Sequence, residues 1–134
     1  MTTTPEGLVK KAEDAYNALD MDRVLALFTS DAVFYMNGKL VGKGIDDLRR
    51  WHERLFAAVK DYRLTKTLRA ASGDTITVEF ADTWVNSQTR EPRQGFGGEF
   101  WTMEGDRLAE WHLYWRGFPR PEGAESSSHE HRST

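Results

Sequence analysis

The residue with the clearest chemical potential is Asp82. Within Thr75–Asn86 the side chains alternate, and Asp82 falls in phase with Ile76, Val78, Phe80 and Trp84. In an extended strand, residues two apart share a face, so this carboxyl group is expected on an apolar one. A carboxylate there must be paired, hydrogen-bonded or raised in pKa. A raised pKa suits proton shuttling near neutral pH. The competing reading is a β-bulge that turns Asp82 outward, or a local hydrogen bond to a turn. His52 is the second candidate, since a helix lying over a sheet could bring its imidazole to Asp82 as a dyad. A lone histidine on an apolar stripe also reads as a satisfied core or rim residue. Tyr16 could donate to a substrate oxygen or wet its hydroxyl at a rim. Asn37, beside Gly38, could orient a carbonyl or supply turn geometry.

The aromatic residues suggest what these groups would act on. Five Trp, seven Phe and four Tyr are present, many in the second half. Alternation on the final strand separates Trp111, Leu113 and Trp115 from Glu110, His112, Tyr114 and Arg116. The first set is expected to line a pocket with Phe96 and Phe100 from the preceding strand, and with Phe34 and Met36 from the first. Phe80 and Trp84 beside Asp82, and Trp51 at the edge of a helix stripe, complete the lining. Such a cavity suits a flat hydrophobic small molecule. The outer face would then carry Trp101, Met103 and Tyr114, which suggests a homodimer, or simply a sheet tolerating exposed aromatics. Gly95, Gly97 and Gly98 read as a bend or bulge in the wall.

Elements able to position these residues are legible by period. Leu8, Ala12, Ala15, Tyr16 and Leu19 form a helical stripe opening after Pro5, and Asp20 caps a shorter one through Met21, Val24, Leu25 and Phe28. A third helix follows Gly42-Lys43-Gly44, with the stripe Ile45, Leu48, His52, Leu55, Phe56 and Val59. Strands are expected over 32–37, ended by the Asn37-Gly38 turn, and over 61–71, 75–86, 93–103 and 107–116. This order predicts an α+β domain of cone shape. Three N-terminal helices pack on a strongly curved, mainly antiparallel sheet and enclose one pocket. The domain is expected over 5–118, with 119–134 as a disordered tail, in which His129 and His131 are not read as a metal site.

Several classes are disfavoured. The 134-residue chain has no cysteine, which excludes disulfide scaffolds, zinc–thiolate sites and thiol catalysis. Net charge of −3 without a basic stripe argues against nucleic acid. No apolar run reaches the ~18 residues of a membrane span, and no signal-peptide pattern opens the chain. A cytoplasmic protein is expected. No glycine loop, dinucleotide fingerprint or ligand cluster signals a cofactor or metal, so none is expected.

The stretch from Asn17 through Met21, Phe28 and Val33 resembles the helix–helix–strand opening of SnoaL-like proteins and ketosteroid isomerases, members of the nuclear-transport-factor-two-like superfamily. Gly42-Lys43-Gly44-Ile45-Asp46-Asp47-Leu48 is similar to their entry into the third helix. Phe100 through Trp111 to Tyr114 resembles their last hairpin. The resemblance covers about residues 7–117 and implies the cone fold. Against ketosteroid isomerases, the general-base position holds Met36, the oxyanion-binding acid falls near Gly98, and the first-helix tyrosine falls near Ala12. Against limonene epoxide hydrolases, Asp82 matches one acidic position. The arginine partner is Phe80, the last-strand aspartate is Leu113, and Tyr35 and Asn37 stand one residue out of register. SnoaL-like polyketide cyclases are the closest analogy. The resemblance implies an acid–base isomerase, cyclase or lyase using Asp82, with His52 or Tyr16 assisting. Its rivals are a non-catalytic hydrophobic-ligand-binding or dimerisation module, and an epoxide hydrolase.

Overall fold

The first helix starts where it does because Pro5 suits the opening turn and the Thr4 hydroxyl accepts the Gly7 N–H at 3.1 Å. This helix, α1 (Pro5–Asn17), buries Leu8, Val9, Ala12, Ala15 and Tyr16. Asp20 caps α2 (Met21–Leu25) by accepting from the Arg23 N–H. There follow β1 (Phe28–Met36), β2 (Lys39–Lys43), α3 (Ile45–Ala58), β3 (Val59–Ser72), β4 (Thr75–Asn86), β5 (Pro92–Glu104) and β6 (Arg107–Pro119). The computed structural model describes residues 3–121. Most of the expected tail, with His129 and His131, lies outside the described residues.

The strands form one six-stranded sheet in the order β2-β1-β6-β5-β4-β3. Every pair is antiparallel except β1 with β6, which runs parallel. The fold is thus α+β with a mostly antiparallel sheet. Bulges between Lys60 and Arg63 and between Leu68 and Ala70 interrupt β3, and such bulges bend a strand and raise its twist. The core lies between the inner sheet face and the helices, with Phe28, Phe34, Leu48, Val78, Trp101 and Trp111 among its members.

Three expectations need correction. Phe28 opens β1 rather than closing the second helix. The first strand does end at the Asn37-Gly38 turn, but a further, unexpected strand, β2, follows it. Both residues have positive φ (50° and 84°), the conformation of a two-residue hairpin, and the chain pairs back through Met36 and Lys39 as β2. The third correction concerns β5. Phe96 and Phe100 face outward, with Phe100 49% exposed beside Tyr114, whereas Trp101 and Met103 are buried. The cause is a bulge. Met103 pairs with Leu108 but Thr102 pairs with Glu110, leaving Ala109 as an extra residue in β6. Counting back from the Gly105 turn without that residue would set Phe100 opposite Trp111. With it, Trp101 is opposite Trp111 and shares its face.

The free edge of β3 is covered by α1. Asn17 donates to the Leu64 carbonyl at 2.9 Å and accepts the Leu64 N–H at 2.8 Å. Glu13 accepts the Lys66 N–H at 2.8 Å. These bonds occupy backbone groups that an edge strand otherwise leaves open, and they hold Leu64 and Lys66 in place on the cavity wall. The register has a direct test. Trp101→Ala is expected to lower unfolding free energy by about 3–5 kcal/mol in urea titrations. Phe100→Ala, on the outer face, is expected to cost less than about 1 kcal/mol; the reverse ranking would overturn this register.

Candidate active site

A cavity of about 500 Å³ opens between the helices and the inner sheet face. Tyr16 of α1 and Trp51, Leu55 and Ala58 of α3 line one side. Met36 of β1, Val59, Tyr62, Leu64 and Lys66 of β3, and Phe80, Asp82, Trp84 and Asn86 of β4 line another. Glu99 of β5 and Trp111, Leu113 and Trp115 of β6 complete the interior, with Thr89, Glu91 and Arg93 also on the lining.

Asp82 points inward, as strand alternation requires, and is 8% exposed. No bulge turns it out, because β4 and β5 pair without interruption from Thr75 with Thr102 to Val85 with Pro92. The Tyr62 hydroxyl donates to Oδ2 at 3.0 Å, and the Trp115 indole N–H reaches Oδ1 at 3.4 Å. Burial pushes the Asp82 carboxyl up to about 6, against the opposing pull of those two donors and of the Lys66 charge; the charge on Glu99 adds to the rise. Gly95 lies directly opposite Asp82, and a Cβ there would overlap both Trp115 Nε1 and Asp82 Oδ1. Gly97 likewise leaves room for the Phe80 ring. No bulge interrupts the β4–β5 pairing at these glycines. They leave space for side chains of neighbouring strands.

His52 does not meet Asp82. It is fully buried behind Tyr16, against Trp111 and Trp51. Its Nδ1 lies 2.7 Å from the Leu48 carbonyl, which can only accept, so Nδ1 carries the proton and Nε2 accepts. Burial lowers the imidazole pKa to about 4, so it is neutral at pH 7. The Tyr16 hydroxyl, 2.7 Å from Nε2, therefore donates to His52. Tyr16 reaches the cavity with its proton already committed, so it offers a ligand an oxygen lone pair rather than the expected donor. Burial raises the pKa of both Tyr16 and Tyr62, so each stays a phenol.

Of the expected lining, Met36, Trp51, Phe80, Trp84, Trp111, Leu113 and Trp115 reach the cavity. Phe34 stacks behind Trp111 with ring centroids 4.1 Å apart. Asn37 is tied to the Trp115 backbone, accepting its N–H at 3.0 Å and donating to its carbonyl at 3.3 Å. It holds the strand that carries Trp115 rather than a ligand. Phe96 and Phe100 lie on the far side of the sheet.

The sequence reading missed Lys66 and Glu99. Their side chains are 4% and 1% exposed and form an ion pair on the cavity wall. Glu99 Oε1 also accepts the indole N–H groups of Trp101 at 3.0 Å and Trp111 at 2.7 Å. The Lys66 ammonium lies 5.3–5.8 Å from the ring centroids of Tyr16, Phe80 and Trp101. No sequence signal marks them; the bulge, visible only in the structure, sets Trp101 inward and Glu99 with it. Among the described residues no three His, Asp or Glu side chains converge as a metal-ligand set.

Asp82 and His52 tie stability to pH in opposite senses. Folded Asp82 titrates near 6 against 3.8 for the free group, so the folded state holds the extra proton between those values. Its contribution is full below about pH 4 and is lost as pH rises through 6. His52 favours folding while neutral in both states, and that contribution is lost as pH falls from about 6.5 towards 4. The stability difference between Asp82→Asn and wild type isolates the Asp82 part. It is expected to grow in the variant's favour by about 3 kcal/mol from about pH 3 to about pH 8 in urea unfolding; a flat difference would place a normal carboxyl at this position.

The SnoaL-like domain model matches residues 9–111. No curated protein matches the sequence. Among solved structures, the epoxide hydrolase/cyclase-like enzyme SalBIII, which has a role in pyran ring formation in the polyether salinomycin, is similar with TM-score 0.76 at 18% identity, over 87% of this chain and 95% of that one. A candidate polyketide cyclase from Xanthomonas campestris pv. campestris has TM-score 0.74 at 20% identity, over 84% and 90%. A protein of ketosteroid isomerase-like fold from Catenulispora acidiphila, solved with trimethylamine, has TM-score 0.72 at 20% identity, over 84% and 86%. At these identities the likeness establishes the fold alone. With the family model matched across most of its length, the chain belongs to the SnoaL-like family.

Proposed function

We propose that this protein is an acid–base catalyst that acts without a cofactor on a hydrophobic cyclic carbonyl or hydroxyl compound, with Asp82 moving the proton. The observation that carries this reading is Asp82 itself. It is a carboxyl group set in an apolar wall, facing a cavity of about 500 Å³ and titrating near 6. A group poised near the working pH can both take and return a proton. The cavity volume lies within the usual range of small-molecule sites, ~300–1,000 Å³. Trp51, Trp84, Trp111 and Trp115 give the cavity an aromatic lining suited to a ring. The likeness to SalBIII, which acts in pyran ring formation, supports ring chemistry in the same reaction class. Isomerisation, cyclisation and dehydration all begin with the proton transfer assigned to Asp82. His52 acts through Tyr16, holding that phenol in place, and does not touch the substrate.

Proton abstraction is measurable without the native substrate. Wild-type protein in D₂O is expected to accelerate deuterium incorporation beside the carbonyl of members of a panel of fused-ring ketones, read by NMR. The rate should rise with pH through about 6 and then level, as a general base requires. Asp82→Asn should slow it by roughly 10²–10⁴-fold. An exchange rate indifferent to Asp82 would remove it as the base and leave a ligand-binding module on the same fold.

A further inference from the structure

We propose that the Lys66 ammonium, anchored by Glu99, binds the oxygen that becomes anionic when Asp82 takes a proton, so that the substrate is a conjugated, enolisable carbonyl compound. The inference rests on the assignment of Asp82 as the base and adds the group that receives the displaced charge.

Glu99 accepts on both oxygens. One oxygen takes two indole N–H groups and the other takes Lys66. Its effect is to hold the ammonium in the wall. Lys66 is the opposite case. An ammonium has three N–H donors, and Glu99 is the one carboxylate it pairs with among the described residues. Its other neighbours are the faces of Tyr16, Phe80 and Trp101, which attract the charge but do not accept as an oxygen does. A buried cation with spare donors beside an open cavity is matched by a ligand oxygen carrying negative charge.

Charge balance then favours a neutral substrate. Lys66 and Glu99 cancel, so the ionised Asp82 leaves the cavity at −1. A ligand that arrived as an anion would raise this to −2 inside an apolar wall. Proton transfer avoids that. The substrate C–H bond breaks, the Asp82 O–H bond forms, and the C–H electron pair moves through the conjugated system to the carbonyl oxygen. The total stays at −1, and the charge moves towards Lys66. Return of the same proton to another carbon completes an isomerisation with no further reactant.

The spacing suits a substrate whose charge moves away from the acidic carbon. Lys66 pairs directly with Phe80, and Asp82 is two residues along that strand on the same face. Such diagonal neighbours have Cα atoms roughly 7–8 Å apart. A simple alkoxide would keep its charge beside Asp82. A carbonyl conjugated to the acidic carbon carries the charge past Phe80, and the planar molecule this requires fits the flat aromatic walls.

The test uses 4-nitrophenol, whose absorbance distinguishes bound phenol from bound phenolate, with the full chain. Wild type is expected to bind it as phenolate with the phenol proton on Asp82, which keeps the cavity at −1. Lys66→Met combined with Glu99→Gln removes the pair without stranding a charge, and should weaken phenolate binding roughly 10–100-fold. Lys66→Gln, which keeps an N–H for Glu99 but no charge, gives the same reading should the double variant not fold. Lys66→Arg should restore most of the binding. Folded charge-free variants that bind phenolate as wild type does would overturn the assignment. Asp82→Asn should bind phenolate more tightly, since a like charge is gone. If Asp82→Asn changes neither phenolate binding nor deuterium exchange while the Lys66 effect persists, the fault lies with Asp82 as base and not with the anion site.

Discussion

Glu99 lies on the inner face of the sheet with 2% of its surface exposed, and three strands supply what keeps it there. β5 contributes Trp101, β6 contributes Trp111, and β3 contributes Lys66. Each contribution depends on a separate feature of the chain. Trp101 and Trp111 converge because Ala109 shifts the hairpin register by one residue. Lys66 is placed because Glu13 and Asn17 secure the open edge of β3. Removing one partner from a buried ion pair costs about 3–5 kcal/mol, a large part of a domain's stability. Sheet register, edge cover and helix docking are therefore coupled through one carboxylate.

The same cavity holds a second carboxylate treated in the opposite way. Asp82 faces a phenol at 3.0 Å and an indole at 3.4 Å, with glycine rather than a donor opposite it on β5. Desolvation outweighs these contacts, and its pKa rises. Two indoles fix Glu99 so that it holds Lys66, whereas the shell around Asp82 is thinner and burial raises its pKa. Two residues of one chemical type thus differ by the number and quality of their donors, one an anchor and the other the proton carrier proposed above.

Much of the fold, and half of this site, was legible in the sequence. Apart from Leu19, Phe28 and Val59, which fall outside the helices, the helix stripes, the alternation of β4 and the inward set on β6 follow from side-chain periods. Asp82 was found because an ionisable residue broke an apolar alternation. Glu99 was missed for a related reason. In Phe96-Gly97-Gly98-Glu99-Phe100 the apolar residues mark the outer face, and the inner one carries glycines and a charge. Hydrophobic pattern alone assigns such a strand backwards. The bulge that corrects it leaves no turn residue or proline in the sequence, since Ala109 fits any backbone. Lys66 was hidden too, because a buried lysine is legible only beside its partner. His52 was placed on the correct stripe, but a stripe gives a face and not the depth that separates a residue against a cavity from one behind it.

Ionised Asp82 is a source of instability, and its surroundings are arranged to sustain it rather than remove it. Gly95 excludes the Cβ that would displace the Trp115 indole, and Tyr62 is held as a phenol by its own burial. The remaining hydroxyl of the inner wall, on Tyr16, has its proton fixed on His52, which is in turn fixed on the Leu48 carbonyl. The inner wall's dipoles are thus set before any ligand enters, so the proton transfer proposed for Asp82 would need little reorganisation. Stability and reactivity diverge at this point. An asparagine at position 82 would relieve the desolvation, yet it could neither accept nor return a proton. A fold that retains strain at one titratable group while satisfying its neighbours concentrates its conflict where chemistry can use it.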